Sequence, residues 1–422
     1  MEMRAGYKKT ELGVIPADWE VRCISDIGLI RTGPFGTLLK ASEYSGPEGV
    51  PLISVGEIGD GEFRVTEHTP LVPATVVRRL PQYVLRMGDI VFGRKGAVDR
   101  SALVSRREEG WFLGSDGISV RPGASCHPPY LAAQLRSGPV KSWLIQNAIG
   151  TTMASLNQRI LGRVQVPHAP EAEQRDIANA LSDVDALLGG LDRLIAKKRD
   201  VKQAAMQQLL TGQTRLPNFH GPWEVKALGE LGTTYGGLTG KTKADFGDGT
   251  GRYVTFMNVM SNVVIDCDTF ELVRVSPSES QNRVMKGDLL FNGSSETPEE
   301  VAMCALFNSE VPSLFLNSFC FGFRLHSDAR VDGLFFAHYL RSKVGRELMK
   351  SLAQGSTRYN LSKAALLQAL LPLPSYTEQT AIAAVLADMD AALAALEARR
   401  EKTRALKQGM MQELLTGRTR LV

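Results

Sequence analysis

The chain has 422 residues, which corresponds to about two to four compact units if a domain holds roughly 150 residues. Hydrophobic residues make up 43% of the sequence and charged residues 22%, as in globular proteins, so collagen-like, disordered and disulfide-scaffold classes are excluded. The net charge of +4 is too small to identify a nucleic-acid-binding protein by charge alone.

Cysteine usage and the distribution of apolar residues indicate a cytoplasmic protein. The five cysteines are odd in number and none lies in a CxxC spacing, so we expect neither a disulfide framework nor a zinc ribbon. The start of the chain carries charges without the apolar core of a secretory signal. The most apolar long window, residues 380–398, has Asp388 and Asp390 near its centre, so we expect no transmembrane helix.

Residues 1–170 predict a first α+β domain. This part of the chain is rich in glycine, proline and β-forming residues. Residues 50–55 (Val-Pro-Leu-Ile-Ser-Val) and 89–92 (Asp-Ile-Val-Phe) are typical of short strands between turns. A helix is predicted within the domain at residues 129–146.

Residues 171–215 predict a long helix. Its apolar residues alternate four and three positions apart, which is the heptad spacing of a coiled coil. They are Ile177, Leu181, Val184, Leu188, Leu191 and Ile195. Gly189 and Gly190 interrupt this segment at a cost of up to about 1 kcal/mol each, so we expect a kink or a close helix approach there.

The second half of the chain repeats the first. Residues 209–216 (Leu-Leu-Thr-Gly-Gln-Thr-Arg-Leu) recur as residues 414–421 (Leu-Leu-Thr-Gly-Arg-Thr-Arg-Leu), an offset of 205 residues. Further pairs keep or nearly keep this offset: Trp19 and Trp223, Phe92 and Phe291, Gly150 and Gly355, Pro167 and Pro372, and Gln174 and Gln379. A period this long means two copies of a whole domain with its appended helix. We therefore predict a second domain at 216–375, containing a helix at 333–354, and a second long helix at 376–422.

The two long helices are predicted to pair antiparallel. In each, the first half is acidic and the second half is basic. The acidic residues are Asp176, Asp183, Asp185, Asp388 and Asp390, and the basic ones are Lys197, Lys198, Arg199, Lys202, Arg399, Arg400, Lys402, Arg404 and Lys407. Antiparallel pairing brings opposite charges together, whereas parallel pairing would stack like charges. The expected fold is α+β, with two repeated domains separated by two long antiparallel coiled-coil helices; the alternative is two surface helices, each packed on its own domain.

Several segments resemble catalytic motifs but lack an essential residue. His127-Pro-Pro-Tyr130 has a histidine where amino-methyltransferases place a side-chain oxygen to accept from the target amine. Gly240-Lys241-Thr242 ends like a phosphate-binding loop, but Tyr235 replaces its first glycine. The six histidines and five cysteines form no pattern of metal ligands. We therefore predict no catalytic residue and no metal site in this chain.

Polar and basic loops at corresponding places in the two domains are the remaining candidate sites. Arginine can bond guanine bidentately and asparagine can bond adenine, so glycine-flanked Arg, Lys, Asn, Ser and Thr are typical readers of bases and phosphates. The candidate DNA-binding residues are Arg31, Lys40, Arg94, Lys95, Arg100, Thr151, Thr152 and Arg159 in the first domain, and Lys241, Lys243, Asn292, Ser294, Ser295, Arg358 and Asn360 in the second. Ordinary solvated turns are the alternative for any one of them. Residues 1–170 hold 20 basic and 16 acidic residues and residues 216–375 hold 15 and 16, so partners are expected to supply part of the grip on phosphates.

Four groups of motifs point together to a known family. They are residues 10–19 (Thr-Glu-Leu-Gly-Val-Ile-Pro-Ala-Asp-Trp), the Gly-Asp-Ile-Val-Phe and Gly-Asp-Leu-Leu-Phe strands, the Glu-Gln pairs at 173–174 and 378–379, and the two Leu-Leu-Thr-Gly-x-Thr-Arg-Leu endings. With these motifs, nearly the whole chain resembles the specificity subunit of type I restriction-modification systems, although any one motif alone is weak.

The resemblance implies a non-catalytic, DNA-binding recognition subunit that serves host defence. Each target-recognition domain would read one half of an asymmetric bipartite site in double-stranded DNA, and the long helices would act as spacer and as docking surface for two methyltransferase subunits. The complex would methylate adenine with S-adenosylmethionine and, with ATP-driven restriction subunits, translocate and cleave unmodified DNA. No cofactor is expected on this chain, because S-adenosylmethionine, ATP and Mg²⁺ would be bound by the partner subunits.

Two other classes of function stay open at this point. A coiled-coil scaffold that assembles partners without recognising DNA would show no salt-sensitive DNA binding. A stand-alone methyltransferase would need a glycine-rich cofactor loop, which this sequence lacks.

Overall fold

The computed structural model describes residues 5–44, 46–150 and 153–421. Its internal contacts divide the chain into two units, Met1–Leu191 with Arg399–Val422 (unit 1) and Asp192–Ala398 (unit 2). All the boundaries between the units lie inside long helices, so each unit contains one globular domain and a part of both helices. Within the described ranges, no helix is long and apolar enough to cross a membrane.

Unit 1 begins with a hairpin and continues into a mixed domain. Its strands are β1 (Tyr7–Thr10), β2 (Gly13–Pro16), β3 (Glu20–Cys23), β4 (Gly28–Thr32), β5 (Val50–Ile53), β6 (Leu71–Val72), β7 (Ile90–Gly93), β8 (Ser101–Leu103), β9 (Phe112–Leu113), β10 (Gly117–Pro122) and β11 (Gln165–His168). Its helices are α1 (Ile24–Ile27), α2 (Ala74–Arg79), α3 (Pro128–Leu135), α4 (Gly138–Asn147), α5 (Gln158–Gly162) and the first part of α6 (Glu171–Leu209). The central sheet has the order β4-β10-β7-β8 and is antiparallel throughout. A second sheet, β6-β5-β9, contains a parallel pair between β5 and β9, and β3 pairs with β11.

Unit 2 has the same strand order. Its strands are β12 (Glu224–Ala227), β13 (Gly232–Gly236), β14 (Phe246–Val254), β15 (Glu271–Val273), β16 (Leu289–Asn292), β17 (Ser294–Ser295), β18 (Cys304–Leu306), β19 (Leu314–Leu316), β20 (Cys320–Leu325), β21 (Ala353–Gln354), β22 (Tyr359–Leu361) and β23 (Leu370–Leu373). Its helices are α7 (Leu228–Leu231), α8 (Phe256–Ser261), α9 (Gly333–Arg341), α10 (Lys343–Leu352), α11 (Lys363–Gln368) and the first part of α12 (Tyr376–Leu414). The central sheet is β13-β20-β16-β18, β15-β14-β19 contains a parallel pair between β14 and β19, and β12 pairs with β23. The prediction of two repeated α+β domains is confirmed.

Each helix predicted inside a domain is in fact a pair of helices. The helix predicted at 129–146 is broken between α3 and α4. In the stretch predicted at 333–354, α9 ends at Arg341, α10 begins at Lys343, and the last two residues form β21. Ser137 is extended (ψ 150°) and Pro139 follows Gly138, so the chain cannot continue as one helix. In unit 2, the Ser342 hydroxyl accepts from the Gly345 N–H (3.2 Å) and caps a new helix.

The Gly-Asp dipeptide before the central strand explains why that motif occurs twice. Gly88 and Gly287 adopt φ of 92° and 90°, which turns the chain into β7 and β16. The buried carboxylate of Asp89 then accepts from both Nε (2.7 Å) and Nη2 (2.6 Å) of Arg121. Asp288 and Arg324 repeat these two bonds at 2.8 and 2.7 Å, so a bidentate ion pair anchors the same turn in both domains.

Ion pairs confirm the antiparallel order of the long helices in each unit. In unit 1, Asp185 of α6 pairs with Lys407 of α12 (2.5 Å). In unit 2, Arg199 pairs with Glu397 and Lys202 pairs with Asp390. Two of these pairs, Asp185 with Lys407 and Lys202 with Asp390, join an acidic first half to a basic second half, as the charge pattern predicts, whereas Glu397 lies just past the midpoint of α12.

The heptad seam contributes to the domain cores as well as to the helix pair. Ile177 and Leu181 pack in a cluster with Trp19 and Leu414, all in unit 1. In unit 2, Ile382 and Leu386 are part of the main core cluster. A Cβ added at Gly190 would meet no described atom within 4 Å, so the close helix approach expected at this residue is absent.

Each of the two tails that follow the long helices docks beside the start of the other long helix. The tail after α6 lies in unit 2, where Arg215 binds both carboxylate oxygens of Glu378 (2.5 and 2.6 Å). The tail after α12 lies in unit 1, where Arg420 donates to Glu173 through Nε (2.9 Å) and Nη2 (2.7 Å). Asp18 accepts two further bonds from Arg420 (2.8 and 2.9 Å). In both copies, the arginine of the repeated Leu-Leu-Thr-Gly-x-Thr-Arg-Leu motif thus binds the glutamate in the first turn of the other long helix.

The glycine of this motif is required by its backbone and its surroundings. Gly212 and Gly417 adopt φ of 69° and 68°, the left-handed conformation that ends a helix. A Cβ at Gly417 would lie 2.4 Å from Pro16, and one at Gly212 would lie 3.3 Å from Trp223. At Gly417 a larger residue would collide with Pro16 and displace the tail, whereas at Gly212 the Trp223 ring would have to move by only a few tenths of an ångström.

Candidate nucleic-acid interface

One edge of each central sheet gathers most of the exposed candidates. We call it the loop edge: in unit 1 it comprises residues 33–35, 94–100, 114–116 and 153–159. There β4 and β7 end and β10 begins, since Gly93 opposes Gly117 and Thr32 opposes Ile118.

The loop edge of unit 2 has the same backbone framework. It comprises residues 237–239, 293–295, 317–319 and 355–363. The Arg94 N–H donates to the Asp116 carbonyl (2.7 Å), and the Gly293 N–H donates in the same way to the Phe319 carbonyl (2.8 Å). The Arg94 carbonyl accepts from the Leu156 N–H (2.8 Å), as the Gly293 carbonyl accepts from Leu361 (3.0 Å). Arg94 therefore occupies the backbone position of Gly293, and Asp116 that of Phe319.

Four of the candidates of the first domain lie at this edge. Lys95 is half exposed and forms an ion pair with Asp116 (3.1 Å). Arg94 places its guanidinium carbon 5.7 Å from the ring centre of Phe35. Arg100 is exposed in the turn between β7 and β8, and Arg159 is exposed in α5, next to the Gln158 that donates to Thr32 Oγ1 (3.1 Å).

The other candidates of the first domain have different placements. Arg31 lies within β4 and donates to the backbone carbonyl of Gln82, so its guanidinium links two parts of the domain. Lys40 is exposed at the start of the short helical turn Ala41–Glu43, beyond the loop edge. Thr151 and Thr152 lie outside the described residues.

In the second domain, several candidates are buried and bonded within the chain. Asn292 is fully buried; its amide donates to the carbonyls of Ser294 (3.1 Å) and Glu300 (2.9 Å) and accepts from the Met303 N–H (2.6 Å). Ser294 and Ser295 are only 7% exposed. These three side chains help to hold the segment after β16 in place and are not presented to solvent as donors.

Lys241 is likewise held inside the chain. Its side chain is only 6% exposed, and its ammonium lies 2.5 Å from Glu279 Oε2. The hydrogen bond from this ammonium, together with those from the Ser276 N–H and the Gln281 amide, lowers the pKa of Glu279 to about 2. The Gly240-Lys241-Thr242 segment thus has no lysine available for a phosphate, whereas Lys243 nearby is exposed.

Arg358 and Asn360 are the candidates that unit 2 does present at its loop edge. Both are exposed, and Asn360 opposes Ser294 where β22 pairs with β17. The Arg358 guanidinium carbon lies 5.5 Å from the ring centre of Phe319.

Three residues at these edges were missed by the sequence reasoning. Phe35 is 61% exposed and Phe319 is 58% exposed, although phenylalanine is usually buried. Lys363 is exposed, and a Cβ at Gly236, the last residue of β13, would lie 3.4 Å from its Nζ. The signal for Phe35 was its position between Pro34 and Gly36, which suits a loop better than a core strand.

The segments that resemble catalytic or metal sites have structural roles. The His127 N–H donates to Gln174 Oε1 (2.7 Å), which caps the start of α3, and the Asp332 N–H donates to Gln379 in the same way (2.9 Å). Burial raises the pKa of the Cys126 thiol to about 12. Within the part of the chain that the structure describes, no group of three or more His, Cys, Asp or Glu side chains could hold a metal ion.

Comparisons with known proteins agree on one family. The sequence model described as the type I restriction modification DNA specificity domain matches residues 16–196 and again residues 220–405. A Methanocaldococcus jannaschii protein assigned as the type I restriction enzyme MjaX specificity subunit is 25% identical over 98% of this chain and 97% of its own length. The type I restriction enzyme EcoKI specificity subunit of Escherichia coli K12 is 23% identical over 70% of this chain and 65% of its own length.

Solved structures share the fold. The type I restriction-modification S subunit from M. genitalium superposes with a TM-score of 0.56 at 16% identity, covering 98% of both chains. The HsdS subunit from Thermoanaerobacter tengcongensis gives a TM-score of 0.51 at 18% identity, covering 96% of this chain and 98% of that one.

Proposed function

Because the chain belongs to the family of type I restriction modification DNA specificity proteins, we propose that each of its two repeats reads one half of an asymmetric, bipartite DNA site. One observation carries the asymmetry: the same sheet edge holds different side chains in the two units. Arg94 and Asp116 of unit 1 stand where unit 2 has Gly293 and Phe319. Identical readers would recognise two copies of one half-site, whereas different readers need two different ones.

The partners in this proposal are double-stranded DNA, two methyltransferase subunits and restriction subunits. Leu187, Leu194 and Val201 of α6 support a docking role for the helices, because they are 44%, 41% and 47% exposed and lie seven residues apart. A row of exposed apolar side chains on a helix is typical of a surface that a partner covers.

Chemistry in this proposal takes place on the partner subunits. S-adenosylmethionine would supply the methyl group for adenine there, and ATP with Mg²⁺ would drive translocation and cleavage. The purified chain alone is then expected neither to methylate nor to cleave DNA. Methyl transfer from S-adenosylmethionine by the pure chain would contradict this division of labour.

A domain exchange tests the two-reader proposal. Residues 24–164 are replaced by the equivalent segment of another family member, which leaves Asp18, Trp19 and Glu173 in place to dock the C-terminal tail. Mapping of methylated adenines in cells should then show one half-site changed and the other retained. If both halves change, or neither does, the proposal is wrong.

A further inference from the structure

Four arginines in the described ranges lie over aromatic rings, and they fall into two groups. Arg215 over Trp223 and Arg324 over Tyr235 are also bound to carboxylates, Glu378 and Asp288. These two guanidinium groups are already bound to carboxylates within the chain.

Arg94 over Phe35 and Arg358 over Phe319 form the other group. Neither guanidinium makes a hydrogen bond or an ion pair with any other described residue. As far as the described residues go, each therefore keeps its five N–H donors for a molecule outside the chain. The phenylalanine beneath each one is about three-fifths exposed, which is costly for an apolar ring unless a partner covers it.

The two pairs were not inherited from the duplication. Arg94 and Arg358 come from different loops: Arg94 has Gly293 as its counterpart, and Arg358 has Met153 at the repeat offset. Phe319 has Asp116 as its counterpart. Each repeat thus places an arginine that has no hydrogen-bond or ion-pair partner among the described residues on an exposed phenylalanine at the same sheet edge. The two repeats use different sequence positions to do so.

We propose that Arg94 and Arg358 are specificity-determining residues that each donate bidentately to a guanine in the major groove, one in each half-site. This assignment rests on the proposed function. The guanidinium carbon of each arginine lies over a phenylalanine ring, at 5.7 Å for Arg94 and 5.5 Å for Arg358. The N–H donors of the guanidinium can then meet the two acceptors of guanine, N7 and O6, which have matching spacing. Phe35 and Phe319 are positioning residues that fix the plane of the guanidinium and contact the neighbouring base.

The charges around each pair favour DNA as the occupant. At the loop edge of unit 1, Lys95, Arg100 and Arg159 outnumber the acidic residues, which are Asp99 and Asp116, the partner of Lys95. Lys363 lies at the loop edge of unit 2, whose residues include no acidic side chain. These cations suit phosphates on either side of a base contact. The loop edges therefore combine the proposed base reader, an apolar contact and cations suited to phosphates.

Replacement of each arginine by lysine tests the assignment, because lysine keeps the positive charge but lacks the planar guanidinium whose paired N–H groups bond both guanine acceptors. We expect Arg94→Lys, in cells that carry the complete system, to make one guanine position degenerate in the first half-site and to leave the second half-site unchanged. Arg358→Lys should do the reverse, so each variant is the internal control for the other. The expected discrimination lost at that position is about 5- to 150-fold. Arg106→Lys, an exposed arginine in the turn after β8 at the opposite end of the sheet, should change nothing.

A second measurement separates base reading from a general loss of binding. Competition binding by the assembled complex uses duplexes in which each guanine in turn is replaced by 7-deazaguanine, which lacks the N7 acceptor. Wild-type binding should weaken at the position that Arg94→Lys makes degenerate, and Arg94→Lys should be insensitive there. Phe35→Leu should weaken discrimination at this same position while thermal unfolding stays unchanged.

Three results would overturn the assignment. One is an unchanged motif for both lysine variants, and another is equal weakening at every position, which is typical of a phosphate contact. The third is a half-site without guanine. A bipartite wild-type motif in any of these cases leaves the two-reader proposal standing, whereas a wild type with no bipartite motif refutes that proposal and this assignment with it.

Discussion

Removal of the Arg420 side chain should destabilise unit 1, because it strands a buried charge. The Glu173 side chain is 3% exposed and accepts from Trp19 Nε1 (2.9 Å) as well as from two nitrogens of Arg420. Loss of one partner of a buried ion pair costs about 3–5 kcal/mol. Arg420 is itself one-quarter exposed, so we expect about 2–4 kcal/mol for Arg420→Ala. The contact with half-exposed Asp18 adds at most about 1 kcal/mol.

Urea unfolding and calorimetry of the purified chain measure this cost. A domain of this size loses roughly 2–4 °C in Tm per kcal/mol, so the transition of unit 1 should fall by roughly 4–16 °C. Arg175→Ala is the matched control, since Arg175 pairs with Glu171 on the exposed face of α6 in the same unit (2.5 Å) and should cost less than about 1 kcal/mol. Glu173→Gln in the Arg420→Ala background should recover part of the loss, because the stranded charge is then gone. Equal, small losses for Arg420→Ala and Arg175→Ala would refute the docking role of the tail.

Three further predictions concern the core, the pH response and the spacing of the half-sites. Arg121→Ala removes the ion-pair partner of the buried Asp89 carboxylate and should lower the unfolding free energy by about 2–4 kcal/mol in urea, whereas Arg106→Ala should change it by no more than about 0.5 kcal/mol. Similar values for both variants would contradict the role of the Asp89–Arg121 pair in anchoring the turn. Burial lowers the pKa of His338 to about 4, so the folded state binds fewer protons than the unfolded chain and stability falls as the pH drops from about 6.5 towards 4. Between pH 7 and 4.5 this loss amounts to about 2 kcal/mol, and a His338→Gln variant should lack that part of the pH dependence of its unfolding free energy. Seven residues inserted after Leu191 in α6 and after Ala398 in α12 leave both units intact, keep the heptad register and lengthen each helix by about 10 Å. Methylation mapping should then show the same half-sites separated by about one to three more base pairs. An active variant with the parental gap would show that the helices do not set the distance between the half-sites.

The sequence predicted the architecture well because its signals are repeated and strongly periodic. The 205-residue offset predicted two domains, and the opposite charges of residues such as Asp185 and Lys407 predicted the antiparallel helices that their ion pair now supports. Exchange of the tails could not be read from the sequence. Arg215 and Arg420 are equivalent in both copies, and only the fold decides which of the two glutamates each one binds.

The candidate site was predicted less completely, because residue type does not reveal burial or internal partners. Asn292 and Lys241 have the chemistry of a DNA reader, yet the first bonds its own loop and the second is paired with Glu279. Phe35 and Phe319 are apolar, so their residue type does not indicate a DNA contact, although both are exposed at the loop edge. Exposure of an aromatic residue depends on tertiary packing, which local sequence does not specify.

Mapping of methylated adenines with and without this chain tests the central claim most directly. The account predicts that cells carrying the complete system methylate adenines in one bipartite motif with two different halves. Deletion of this chain should abolish that motif, and its restoration on a plasmid should return the same motif. Methylation of an unchanged motif in the deletion strain would contradict a role for this chain in DNA specificity.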